Sequence, residues 1–182
     1  SLIKNKIISS KVQVATKSII LSDLVKFIRA INNKPELFLL EKTIKKGHII
    51  LDLNLNFDSD GQIKKDYQIK GLIKKANINI LNQFEFDNIN LNFNIKQDVF
   101  LLNDIKFQSE EVNFISEKFE IKKVKNHFLI DGTIKNDQSR LNNKILEFLN
   151  FKYKNINIEK TKFTSSNKLS LKINNRFKIQ NI

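Results

Sequence analysis

His48 and His127 are the only histidines in a chain of 182 residues that contains no cysteine. An imidazole can act as a general base or bind a metal, but both roles need partners at fixed spacing. Neither histidine has a second histidine or a carboxylate at a ligand spacing, so structural or surface roles are expected for both. Asp58-x-Asp60-Gly61 matches the opening of a calcium loop. The third oxygen position and the closing glutamate are missing, which leaves turn chemistry as the expectation. Glu110-Glu111 would form an acid pair only if both carboxylates entered one site. Neighbours on a strand point to opposite faces, so a solvated charge pair is expected instead. The sequence has no Gly-rich phosphate loop and no nucleophile elbow. Zero cysteine excludes a disulfide framework, a Cys-ligated zinc site and thiol catalysis. The expectation is a protein with no catalytic residue, no metal site and no cofactor, and so not an enzyme.

The chemistry that remains is apolar. There are 15 Phe against two Tyr and no Trp. Many Phe fall in phase with Ile and Leu in runs that alternate with Asn, Asp and Lys. Leu51-Asp52-Leu53-Asn54-Leu55-Asn56-Phe57 and Ile89-Asn90-Leu91-Asn92-Phe93-Asn94-Ile95 are the longest. Ala76-Asn77-Ile78-Asn79-Ile80, Phe119-Glu120-Ile121, Ile156-Asn157-Ile158 and Leu169-Ser170-Leu171-Lys172-Ile173 are shorter versions. A period of two is the signature of half-buried strands, and Asn at every second position marks a solvated outer face. A strand rises about 3.3 Å per residue, so four apolar side chains from Ile89 to Ile95 extend over about 20 Å. Several such strands build a broad apolar wall that helices, a second sheet or a ligand must cover. The expected lining is Leu51, Leu53, Leu55, Phe57, Ile69, Ile78, Ile80, Ile89, Leu91, Phe93, Ile95, Phe128, Ile130 and Ile134. An ordinary closed β core accounts for the same pattern.

The elements that position this wall are read from breaks in the alternation. Ser22 can cap a helix from Asp23 to Ile31 with Leu24, Phe27, Ile28 and Ile31 on one side. Pro35 suits the first turn of a second helix ending near Gly47. Ser139 can cap a third, with Leu141, Ile145, Leu146 and Leu149 as its stripe. Asp58-Ser59-Asp60-Gly61 reads as a turn between two strands. Tyr67-Gln68-Ile69-Lys70-Gly71-Leu72-Ile73-Lys74 and Phe128-Leu129-Ile130-Asp131-Gly132-Thr133-Ile134-Lys135 share a template in which Gly falls in phase with the apolar positions. Gly71 and Gly132 are therefore expected inside strands, permitting a bend or bulge, with a plain hairpin turn as the alternative at Asp131-Gly132. The predicted fold is mainly β with minor α. It is a long, strongly curved antiparallel meander forming a groove or open half-pipe, with two or three short helices. One segment spans 1–182: a strand and two helices over 1–47, the meander over 48–136, then a helix and strands over 137–182.

Ile, Lys and Asn make up 82 of the 182 residues, a bias towards AT-rich codons that weakens arguments from charge. The net charge is +13, but Lys outnumbers Arg 29 to 3 and forms no dense block. Recognition of guanine or phosphate by paired hydrogen bonds favours Arg, so no specific nucleic-acid partner is expected. No apolar run approaches the about 18–20 residues of a membrane-spanning helix. The chain opens Ser1-Leu2-Ile3 and holds no Met, which predicts a piece of a longer protein.

The run Gly47-His48-Ile49-Ile50-Leu51-Asp52-Leu53-Asn54-Leu55-Asn56-Phe57-Asp58-Ser59-Asp60-Gly61-Gln62-Ile63 resembles the AsmA-like family, nearest its YhdP/TamB branch. Tyr67-Gln68-Ile69-Lys70-Gly71, Ala76-Asn77-Ile78-Asn79-Ile80-Leu81 and Phe128-Leu129-Ile130-Asp131-Gly132-Thr133-Ile134 continue the resemblance, which covers roughly residues 35–135. It implies a segment of a periplasmic protein anchored in the inner membrane, with a hydrophobic β-groove that holds phospholipid acyl chains. By the same resemblance the segment supports phospholipid transport to the outer membrane and envelope maintenance, touches membranes through other parts of its parent, and has no catalytic residues. The alternative expectation is a structural or adhesin-like β scaffold with a closed core and protein partners.

Overall fold

The computed structural model describes residues 10–31, 35–80, 84–125, 127–140, 146, 161–174 and 179–180. The described strands are β1 (Ser10–Ala15), β2 (Ile19–Ile20), β3 (Ile44–Phe57), β4 (Gln68–Ile80), β5 (Phe84–Lys96), β6 (Val99–Ser109), β7 (Val112–Val124), β8 (His127–Arg140), β9 (Lys162–Asn174) and β10 (Ile179–Gln180). Helices α1 (Leu21–Ile31) and α2 (Pro35–Thr43) lie between β2 and β3. All strands belong to one antiparallel sheet in the order β1-β3-β4-β5-β6-β7-β8-β9-β10, with β2 also paired to β3. The sheet does not close into a barrel.

From β3 onward the sheet is a meander, with two-residue connections from β5 to β8 and a long one between Arg140 of β8 and Lys162 of β9. Asp58 builds the β3–β4 turn: its Oδ1 accepts hydrogen bonds from the Asp60 and Gln62 amides at 3.0 and 2.9 Å. Gly61 supplies the positive φ of 78° that closes this turn. Gln97-Asp98 alone separates the paired Lys96 and Val99. Glu110-Glu111 separates the paired Ser109 and Val112 in the same way. The two glutamates are thus the centre of a two-residue hairpin loop, with φ of 49° and 66°, rather than neighbours on a strand. Positive φ at both central residues matches the right-handed twist of the flanking strands, and here that requirement overrides the usual Asn-Gly preference.

A line of register shifts crosses the sheet. It passes Gly47 in β3, Lys75 in β4, Asn88 in β5, Asp104 in β6, the stretch between Ile115 and Phe119 in β7, and Gln138 in β8. Lys75, Asn88, Asp104 and Gln138 have φ of 49°, 50°, 53° and 45°. Each shift inserts one residue, so the apolar set changes from odd to even numbering, or the reverse, yet stays on one face. At the break in β4 a side chain replaces the ladder partner, as Asn90 Oδ1 accepts the Lys75 amide at 3.1 Å. Beside the break in β6, Asn92 Nδ2 donates to Asp104 Oδ2 at 2.9 Å.

One buried cluster sits beside this line, while Ile105, Val112 and Leu146 are buried outside it. Leu21 and Val25 of α1 pack with Ile44, Ile49, Ala76 and Ile89, and Leu24, Ile73, Leu91 and Phe93 complete the cluster. Gly47 is buried inside β3 rather than ending a helix, since α2 stops at Thr43. Its φ is 136°, and a Cβ there would lie 2.7 Å from the Ala76 Cα. Close approach of two strands, not helix capping, explains this glycine.

Other boundaries also differ from expectation. Helix α1 starts at Leu21, so Ser22 lies within its first turn. Its buried positions are Leu21 and Val25, whereas Phe27 and Ile31 face solvent. Ser139 is a buried residue of β8 paired with Phe163 of β9, so it caps no helix. The ladder to β9 captures this segment because it satisfies both backbone edges, which a cap cannot. Leu146 is buried, while Leu141, Ile145, Leu149 and the run Ile156-Asn157-Ile158 lie outside the described residues.

Candidate functional site: the apolar sheet face

Directly paired residues of an antiparallel sheet share a face, so the ladders show what each face presents. One row runs Leu51, Gly71, Phe93, Leu102, Phe119, Gly132, Leu169 across β3 to β9. The next runs Val14, Leu53, Ile69, Ile95, Phe100, Ile121, Ile130, Leu171 from β1 to β9. Neither row contains a polar side chain. With strands about 4.8 Å apart, the eight-strand row is about 34 Å long. Leu55, paired with Val12, extends the face at one edge, and Phe128, paired with Ile173, extends it at the other.

Beyond the register line the same face continues through Ile78, Phe86, Phe107 and Phe114. The Phe86 and Phe107 rings meet edge to face at 5.7 Å, and Phe107 stacks on Phe114 at 5.1 Å. The expected wall residues on both sides of the line therefore lie together. Ile69 and Ile78 share a face only because the shift between Ile73 and Ala76 corrects their opposite parity. Ile89 and Ile78 reach the buried cluster or its margin, and Ile134 lies on β8 between Gly132 and Asn136. Phe57 pairs with Ser10 at the β1 edge. Ile80 pairs with Phe84, and its side chain lies outside the described residues.

Gly71 and Gly132 have one arrangement in common. Each sits within a strand, directly opposite a Phe of the neighbouring strand. A Cβ on Gly71 would come within 2.3 Å of the Phe93 ring and 2.5 Å of the Ile50 carbonyl. A Cβ on Gly132 would meet the Phe119 ring at 2.4 Å. Asp131-Gly132 is therefore strand rather than hairpin turn. In both copies of the repeat the ring lies over the glycine, shielding a bare stretch of backbone and levelling the wall.

Across rows Leu51 to Leu169 and Val14 to Leu171, the side chains from β3 to β9 are half-buried rather than exposed. Helix α1 packs on β2 and β3, and α2 on β3 and β4. Leu21 and Val25 of α1 also share a buried cluster with Ile89 of β5, and the helical residue Leu146 is buried.

The opposite face is polar. Its corresponding rows are Asp52, Lys70, Asn94, Leu101, Glu120, Asp131, Ser170 and Asn54, Gln68, Lys96, Val99, Lys122, Leu129, Lys172. Glu120 bonds Lys122 at 2.5 Å and Lys118 at 3.3 Å, and Lys135 bonds Glu117 at 2.9 Å. Hydrogen bonds from these lysines hold both glutamates below the ordinary carboxylate range, and Glu120 raises the Lys122 ammonium. These charges border an open hollow of about 400 Å³ beside Thr133. Among the described residues no cluster of His, Asp and Glu is arranged to hold a metal ion. His48 and His127 lie on different strands, the first beside Lys74 and the second beside Val124. No described helix is long and apolar enough to cross a membrane.

Comparison with protein-family models, curated proteins and solved structures finds no match to this chain. The geometry of the sheet therefore carries the functional argument.

Phe100, Leu102, Phe119, Ile121, Leu169 and Leu171 belong to the wall but escaped the expected lining. In Val99-Phe100-Leu101-Leu102 every residue is apolar, so alternation cannot assign a face. Counting register back from the Gln97-Asp98 and Glu110-Glu111 loops would have placed the β6 and β7 residues.

Proposed function

We propose that this chain is a non-catalytic groove segment that binds lipid acyl chains along the apolar face of its sheet. The carrying observation is the pair of wholly apolar rows that cross β3 to β9, whose side chains are half-buried rather than fully buried. Each bulge adds local twist and bends its strand, and aligned bulges are a general means of curling a sheet. In this reading the register line curls the meander into a half-pipe, so the rows line a trough and the Lys- and Asn-bearing face meets water. Each buried methylene contributes about 0.8 kcal/mol, so an acyl chain is held without polar recognition and with little selectivity. Resemblance to AsmA-like proteins extends the proposal to phospholipid transport between inner and outer membranes, in a periplasmic parent anchored to the inner membrane.

The test is native mass spectrometry of the purified chain together with solvent extraction and lipid analysis. Co-purifying phospholipid is expected, and Ile95→Glu in the middle of the long row should reduce it at unchanged circular dichroism. Lipid-free protein that also takes up no phospholipid from vesicles would sink the proposal.

A further inference from the structure

The helix pair carries an apolar surface that the sheet does not use. In α1 the apolar residues Phe27, Ile31, Leu24, Ile28, Leu21 and Val25 occupy an arc of about 160° at 100° per residue. Only the Leu21–Val25 side is buried. Phe27 is 64% exposed and Ile31 72%. Helix α2 adds Phe38, Leu39 and Leu40 in succession, with Phe38 52% exposed. The Arg29 guanidinium and the Lys42 ammonium each lie 5.5 Å from the Phe38 ring centre. Arg29 also bonds Glu41, which ties the two helices together.

The sequence of the helix pair and the start of β3 carries an excess of positive charge. Residues 21–46 contain six Lys or Arg against three Asp or Glu. Of the acids, Glu41 is engaged by Arg29, and Asp23 lies 3.6 Å from Lys26. Exposed aromatic and aliphatic side chains flanked by cations are the composition of helices that lie in a membrane interface. There the apolar side enters the acyl boundary while Lys and Arg meet anionic head groups. A second copy of the chain is disfavoured here, since it would bring together two molecules that each carry a net charge of +13.

We infer that α1 and α2 form an interfacial docking element through which this chain itself binds the surface of an anionic bilayer. The inference stands apart from acyl binding in the sheet, because the docking residues are solvent-exposed and absent from the sheet's rows and the assay reads vesicle association alone. The chain has no Trp, so Phe27→Trp gives a single reporter. Its emission should shift to the blue with vesicles of phosphatidylcholine containing a quarter phosphatidylglycerol, and far less with phosphatidylcholine alone. In co-sedimentation, the triple variant Phe27→Ser, Ile31→Ser, Phe38→Ser should bind the anionic vesicles about tenfold more weakly or worse. These side chains are exposed, so its circular dichroism and melting should be unchanged. High salt should weaken binding of the parent chain.

Three results would overturn the inference. One is an absence of association with anionic vesicles at low salt. Another is association that the triple variant leaves intact, which places it elsewhere on the basic surface. The third is Phe27→Trp emission already blue in buffer and unmoved by vesicles, whether a second copy or another part of the chain shields the patch.

Discussion

At the scale of single residues, the glycine–phenylalanine pairs make the sharpest statement about how the wall is built. Gly132→Ala forces a methyl group into the Phe119 ring and should cost about 1–3 kcal/mol by overpacking. In a Phe119→Ala background the same change should cost little, and a double-mutant cycle by urea denaturation measures the coupling. Glu110 and Glu111 make the opposite case. An L-residue held at positive φ costs about 1–2 kcal/mol. Glu110→Asn with Glu111→Gly should therefore raise the denaturation midpoint. The polar face responds to pH through Glu117 and Glu120. Their carboxyls are held low by lysine, so the stability they contribute is present above the ordinary glutamate range. It is lost as pH falls through their lowered values. A carboxyl-detected NMR titration should find Glu120 titrating below the ordinary glutamate range, and Lys122→Gln should bring it back up.

At the scale of elements, legibility depended on whether a segment's partners lay close in sequence. Alternation revealed β3, β4 and β5 because one side of each strand is wet, and the Asp58 turn was visible because the aspartate carries its own acceptor. Pro35 marked the start of α2 because its ring fixes φ and its missing amide needs no partner there. Gly47 was misplaced because its reason is Ala76 of the next strand, which no local pattern shows. The apolar side of α1 was legible but its exposure was not, for a related reason: periodicity reports that an apolar side exists, not what covers it. The register line is the largest feature hidden from the sequence, since an inserted residue is seen only against its neighbour strand. It can also be tested at one position. Deleting Lys75 removes the inserted residue, so β4 should become a regular strand that keeps Ala76 and Ile78 on the apolar face opposite Ile89 and Phe86, with the cooperative melting transition by circular dichroism retained.

At the scale of the whole molecule, the strand order from β3 to β10 follows the chain, and from β4 onward each strand pairs only with the strands before and after it in sequence. Stability in such an array is nearly a sum of nearest-neighbour interfaces, so disruption in one hairpin need not melt hairpins several strands away. Folding does not have to wait for distant segments to meet, which is unusual for a large all-antiparallel sheet. Opening should spread inward from whichever edge is weaker. Hydrogen exchange should show the strongest protection in β5 to β7 and the weakest in β1, whose residues are all exposed, and in the two-residue β10. A molecule organised in this way can lose its margins to thermal fluctuation and keep its middle intact.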